Sequence, residues 1–265
     1  MSHSTINASI STTIVRSWQS YREEVTKRLE PHFRRPETRQ RVKSYLDGLL
    51  SNIQRKNSWQ LAEMAGNSTP YGLQHLLSRA VWSADAVRDE LFAYVAEYLG
   101  DPEGVVVIDE TGCPKQGVHS AGVAQQYSSA LGKMGNCQVG LFLTYASLWG
   151  YTLLDRELFL PKVWANDSAR LQKVGLSSDT TFETKPQLAK RMLERMRIAR
   201  MPAAWVLGDS HYGHSRELRT WLEEQNLYYV LEVRRNTTFW TGNNHWCSGK
   251  LQALSIDLNT SHDLF

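Results

Sequence analysis

Cysteine is scarce in this chain. Cys113, Cys137 and Cys247 are the three such residues among 265, and no two of them stand in a CxxC spacing. That excludes a disulfide framework and fits a reducing compartment. Long apolar runs are missing too: nothing approaches a transmembrane helix, and the polar N-terminus lacks the apolar stretch of a secretory signal. The expectation is a soluble, cytoplasmic protein. An excess of one charge sign is also absent. The formal net charge is only +3, so any polyanionic partner has to be argued from where the basic residues sit. With 42% apolar and 22% charged residues, the composition is that of an ordinary globular chain, and the length suits one large domain or a small domain joined to a larger one.

Two short stretches stand out against this background. Val105-Val106-Val107-Ile108-Asp109 and Trp205-Val206-Leu207-Gly208-Asp209 are apolar runs that each end on a carboxylate. The β-branched run reads as a buried strand. Placing a carboxylate at the end of a core strand costs desolvation energy unless the charge is used there. Either Asp alone reads equally well as a turn former or helix N-cap. Side by side, the two would make an oxygen-rich site for Mg²⁺ or Mn²⁺, suited to phosphate-ester chemistry with two metal ions about 4 Å apart. Glu110 follows Asp109 directly; strand alternation turns it to the opposite face, which is the reason for leaving it out of the site.

The rest of the chain supplies the setting. Residues 1–12 are Ser/Thr-rich and read as a disordered tail. Residues 13–101 read as an all-helical domain, with Pro31 and Pro36 interrupting the first periodic stretch. Its polar faces are rich in basic residues, among them Arg34, Arg35, Arg39, Arg55 and Lys56. The pattern fits a module that neutralises DNA phosphates, although a charge run is more commonly a solvated helix face. Gly100-Asp101-Pro102 marks the boundary. Residues 102–240 then read as three strands, helix, strand, helix, strand. This is the order of a ribonuclease-H-like mixed α/β core, in which the strands ending on Asp109 and Asp209 lie beside each other. Residues 112–135 read as a polar loop, residues 161–184 as a long polar connection, and residues 241–265 as an irregular tail. Trp205 and Trp221 read as core.

Several residues near the acids could touch DNA backbone: Lys115, His119, Gln125, Gln126, Tyr127 and Lys133 in the loop, and His211 just after the second Asp. Asn136 and Gln138 could orient groups near the site. A zinc cluster of Asp209, His211 and His214 is disfavoured because no paired cysteine supports it.

The run Val107-Ile108-Asp109-Glu110-Thr111-Gly112-Cys113-Pro114-Lys115-Gln116-Gly117 resembles the DDE insertion-sequence transposases of the IS701 kind, within the broader IS4-like group. Residues 120–127, 135–140, 156–164, 184–189 and 208–213 resemble the same family in the same order, as do 45–50, 55–56 and 62–63 in the helical part. The resemblance covers about residues 18–240. It implies a helical DNA-binding head and a nuclease core that cleaves DNA strands at element ends and joins the 3′-hydroxyl to target DNA. Asp109 and Asp209 match the first and second catalytic acids, with two Mg²⁺ (or Mn²⁺) ions as cofactor. The implied partner is double-stranded DNA, both element ends and target. Self-association and a place at the bacterial-type nucleoid are also implied.

One departure is visible: the family's third acid lies in a Tyr–Arg–Glu–Lys helix, which this sequence does not show before Phe265. The expectation is therefore an incomplete, apparently truncated site, with a non-catalytic remnant that binds element-end DNA as the alternative. A haloacid-dehalogenase-like phosphatase is a distant rival. Position 111 is Thr where that family has its second Asp, and the strands after residue 137 suit a hairpin better than a doubly wound sheet.

Overall fold

The computed structural model describes residues 12–128, 131–234, 237–240 and 246–248. Residues 1–11, and 241–245 with 249–265, where the two tails were expected, lie outside the described residues. The chain forms two compact units, residues 1–91 and 92–265. No helix among the described residues is long and apolar enough to cross a membrane.

The first unit holds α1 (Thr12–Leu29), α2 (Pro36–Leu50), α3 (Ser58–Met64) and α4 (Tyr71–Ser78), and α5 (Ala84–Leu99) begins in it. Pro36 stands in the first turn of α2, where a missing N–H costs nothing. Asn57 caps α3 by accepting from the Gln60 N–H at 3.0 Å. The Ser83 hydroxyl accepts from the Ala86 N–H at 3.1 Å, at the start of α5. Two small apolar clusters hold the unit together. Phe33, Val42 and Leu76 form one, with Trp82 packed against it; Leu61, Ala62 and Leu73 form the other. Trp18 and Tyr21, which share the apolar spacing of α1, are 58% and 48% exposed. Apolar periodicity by itself does not bury these two rings.

The second unit is built on a six-stranded sheet. Its strands are β1 (Val105–Pro114), β2 (Ala124–Ser128), β3 (Lys133–Ser147), β4 (Gly150–Leu158), β5 (Trp205–Gly208) and β6 (Tyr228–Leu231). β3 runs antiparallel to β1, β2 and β4, while β1, β5 and β6 are mutually parallel neighbours. The order β4-β3-β1-β5-β6 is that of the ribonuclease-H-like core, with β1 central. It is not the all-parallel sheet of a dehalogenase-like phosphatase. β2 differs from the expected polar loop: residues 124–128 pair with 133–137. A second pair, β7 (Thr238–Trp240) and β8 (Trp246–Ser248), forms a separate two-stranded sheet.

Helices α6 (Lys162–Ala165), α7 (Ser168–Lys173), α8 (Lys185–Ile198), α9 (Ser210–Gly213) and α10 (Arg216–Glu224) complete the unit. The polar connection of residues 161–184 thus contains two short helices. They are pinned by Trp164, which is fully buried and donates its indole N–H to the Val123 carbonyl at 2.8 Å. α8 starts in a complete capping box, Thr184 with Gln187, and buries Leu188, Ala189, Met192, Leu193 and Met196. Its polar side meets β4 through ions. Arg195 binds the fully buried carboxylate of Asp155 (Nε to Oδ2, 2.9 Å) and pairs with Glu157 at 2.7 Å.

Candidate active site

The site forms where β1 and β5 end side by side. The last in-register pair is Ile108 with Gly208, so Asp109 and Asp209 are the next residues along two adjacent parallel strands. Strand geometry continues through Asp109 but stops at Asp209. Asp209 is the N-cap of α9, and its Oδ1 accepts from the His211 N–H at 2.8 Å. Both readings of that residue hold together: it ends a core strand and it caps a helix.

The turn at Asp209 corrects the reasoning about Glu110. Alternation does carry Glu110 to the face opposite Asp109, the face shared with Ile108. The chain after Gly208, however, bends onto that same face. Glu110, Asp209 and His211 each offer a ligand atom there, and these atoms lie within 4.8 Å of one another. Asp109 is not a member of this cluster; it is exposed, and its Oδ1 accepts from the Glu110 N–H at 2.7 Å. Period-two alternation placed Glu110 correctly on its strand. The break of that alternation at a helix cap is what it could not register.

Glu110 is held from two sides. The Tyr212 hydroxyl donates to Oε2 at 2.8 Å, and the Lys185 ammonium, at the first turn of α8, pairs with Oε1. Tyr212 is fully buried. Burial pushes its phenol far above the ordinary value, and the Glu110 carboxylate, then Asp209 and Asp109, push it further the same way. It therefore stays a hydrogen-bond donor. On its other side α9 packs directly on the end of β6 because residue 213 is glycine: a Cβ there would overlap the Glu232 carbonyl oxygen. His211 is exposed, with Nδ1 3.4 Å from Asp209 Oδ2. His214 is exposed at the end of α9 and outside the cluster.

The other candidates divide into two groups. Gln126, Asn136 and Gln138 turn their amides to backbone carbonyls: Gln126 to Gly122 and Cys137, Asn136 to Lys115 and Gly117, Gln138 to Ala121. They tie the segment after β1 to β2 and β3 instead of facing the acids. Lys115, His119, Gln125, Tyr127 and Lys133 are exposed. In the first unit Arg34, Arg35, Arg39, Arg55 and Lys56 are exposed as well. Two of them are partly engaged: Arg39 Nε donates to the Phe33 carbonyl at 2.8 Å, and the Lys56 ammonium donates to the Gly48 carbonyl at 3.1 Å. Trp221 is buried as expected, but Trp205 is 36% exposed and packs on Tyr228 with ring centroids 5.0 Å apart.

A mixed sheet in ribonuclease-H order with acids at the ends of adjacent parallel strands defines a class of nuclease-type cores. Comparison with known proteins makes the class specific. A family profile described as DDE superfamily endonuclease matches residues 28–253, and the chain belongs to that family. A curated relative, the probable transposase for insertion sequence element IS701 from Microchaete diplosiphon, is 29% identical over 191 residues, 71% of this chain. The matched part is 47% of that relative, so the chain spans about half its length. Two solved structures align at 12% identity. The Drosophila P element transposase strand transfer complex does so over 81% of this chain and 47% of its own, with a TM-score of 0.26. A pre-cleavage Mos1 transpososome does so over 85% and 69%, with a TM-score of 0.21. The fold assignment rests on the strand order itself.

Proposed function

We propose that this chain is the DNA-cleaving and strand-joining part of an insertion-sequence transposase, acting on double-stranded DNA in the cytoplasm with Mg²⁺ or Mn²⁺. The observation that carries this reading is the meeting of Glu110, Asp209 and His211 at the ends of β1 and β5 in a member of an endonuclease family. The two carboxylates are the donors a hard divalent cation takes, with the imidazole beside them at the rim. Asp109, one residue along β1, adds a carboxylate from the other face. We assign Asp109 and Asp209 as the catalytic acids and Glu110 as the third carboxylate, held ready by Lys185 and Tyr212. A bound cation would supply Lewis-acid activation of the phosphate ester and of the attacking oxygen. The protein's own part is to fix the carboxylates. Tyr212 and Lys185 keep Glu110 in one orientation, and the N-cap bond keeps Asp209 in another.

The basic residues Arg34, Arg35, Arg39, Arg55 and Lys56 of the helical unit, with Lys115, Lys133 and His211, are proposed to contact phosphates. Such contacts give affinity without sequence information. The test is Mn²⁺-dependent nicking of supercoiled DNA by the full chain beside Asp109→Asn and Asp209→Asn. Nicking by the native chain that both variants lose supports the reading. DNA binding without nicking would reduce the chain to a DNA-binding protein.

A further inference from the structure

We infer that α4 is a base-reading helix: it inserts in the major groove of duplex DNA and reads sequence through Gln74 and His75. The inference rests on the proposed DNA-directed function and adds the element that would confer specificity. α4 buries Leu73 and Leu76 against the rest of its unit and leaves Tyr71, Gln74, His75 and Ser78 exposed. Spacings of three and four residues put these four on one stripe. A solvated helix face is ordinarily filled with Lys and Glu. This one holds an aromatic ring, an amide, an imidazole and a hydroxyl, and no charge of fixed sign.

Those are groups that read base edges. An amide pairs with adenine through one donor and one acceptor, and an imidazole N–H donates to guanine acceptors. The ring of His75 is oriented for that role. Arg41 Nη1 lies 3.4 Å from His75 Nδ1; a guanidinium only donates, so the contact suits the tautomer that leaves Nε2–H for an outside partner.

The ground beside the stripe has the opposite character. Two adjoining hollows of about 510 and 370 Å³ run between α2 and the start of α4, sharing Glu37, Arg41 and Gly72 as walls. The smaller also takes in Arg35, and Tyr71 and His75 from the stripe itself. Gly72 keeps the wall close to Arg41: a Cβ there would stand 3.2 Å from Arg41 Nε and shift that side chain slightly. The basic members of these walls are Arg35 and Arg41, against one acid, Glu37. A neutral reading stripe bordered by a basic wall is the division of labour a duplex requires: bases at the stripe, backbone phosphates at Arg35 and Arg41.

The experiment is selection from a randomised 30-base-pair duplex pool by the full chain, followed by sequencing, with Gln74→Ala, His75→Ala and Arg35→Ala in parallel. All three positions are exposed, and circular dichroism confirms that each variant is folded. The native chain is expected to enrich a motif. Gln74→Ala and His75→Ala are each expected to lose roughly tenfold discrimination at one or two adjacent positions of that motif, with unchanged affinity for unselected duplex. Arg35→Ala is expected to weaken all sequences alike and to lower the salt dependence. An unchanged motif in the α4 variants, the absence of any enriched motif, or equal binding of an RNA duplex overturns the inference. Plasmid nicking, measured separately, reads the acidic site. A chain that nicks without selecting sequence refutes the role of α4 alone, and one that selects without nicking refutes the nuclease reading alone.

Discussion

Along β1 the two faces of the sheet diverge. Val106, Ile108 and Glu110 share a face with Val139, Leu141, Leu143 and Tyr145 of β3, and the apolar members of this set are at most 1% exposed. Helix α8 closes this face. Val107, Asp109 and Cys113 share the other with Thr144, Phe142 and Gln138. On that second face Tyr151 is 83% exposed, Tyr228 63%, Val230 59% and Leu153 57%. The same backbone thus carries a packed core on one side and an open apolar surface on the other. The acids are divided between them: Asp109 belongs to the open face and Glu110 to the closed one, and the cap at Asp209 brings Asp209 to Glu110.

The largest effects that would break this comparison lie on the closed face. Arg195→Ala takes the two-nitrogen contact from the buried Asp155 carboxylate, which keeps Arg156 at 3.5 Å, and is expected to cost about 3 kcal/mol in denaturant unfolding. A loss below about 1 kcal/mol would mean that Arg156 alone suffices for Asp155 or that water reaches it. Leu143→Ala is expected to cost about 2–5 kcal/mol and Leu153→Ala on the open face under about 1 kcal/mol. Equal losses would show that the second face is covered.

Tyr212→Phe removes a hydrogen bond to a carboxylate and is expected to cost about 1.5–3 kcal/mol at neutral pH. Because the folded phenol sits above its ordinary value near 10, the unfolded chain gives up that proton first. The contribution of Tyr212 is full below about pH 10 and is lost as pH rises from there toward the folded value. The Phe variant should therefore lose less stability than the native protein across that alkaline range, and parallel curves would remove Tyr212 as the cause. The smallest effect is chemical. In a Cys247→Ser background, Cys113 on the open face is expected to react with a thiol reagent in the native state. Cys137, buried with its thiol pushed upward by burial, should react only on unfolding.

Much of this was legible in the residues. The runs ending at Asp109 and Asp209 were readable as strands because β-branched and apolar residues are continuous there. The start of α8 was readable because Lys185-Pro186 is a helix opening. Three features were not. β2 is polar, Ala124-Gln125-Gln126-Tyr127-Ser128, and owes its pairing to the edge of β3 and not to its own propensity. α6 and α7 are shorter than any periodicity test can resolve, and depend on a distant contact of Trp164 with Val123. Alternation along β1 parts Glu110 from Asp109, and the approach of Asp209 to Glu110 is not legible because the alternation of β5 ends at Gly208.

The central proposal is that Asp109 joins Glu110 and Asp209, across the two faces of the sheet, in holding one cation. Mn²⁺ titration of the full chain, followed by the loss of the free-ion electron paramagnetic resonance signal, tests it most directly. The native chain should bind Mn²⁺, and Asp109→Asn on the open face and Glu110→Gln on the closed face should each weaken binding by roughly tenfold or more. Native affinity retained in either variant would contradict the claim and leave the cation to the acids of a single face.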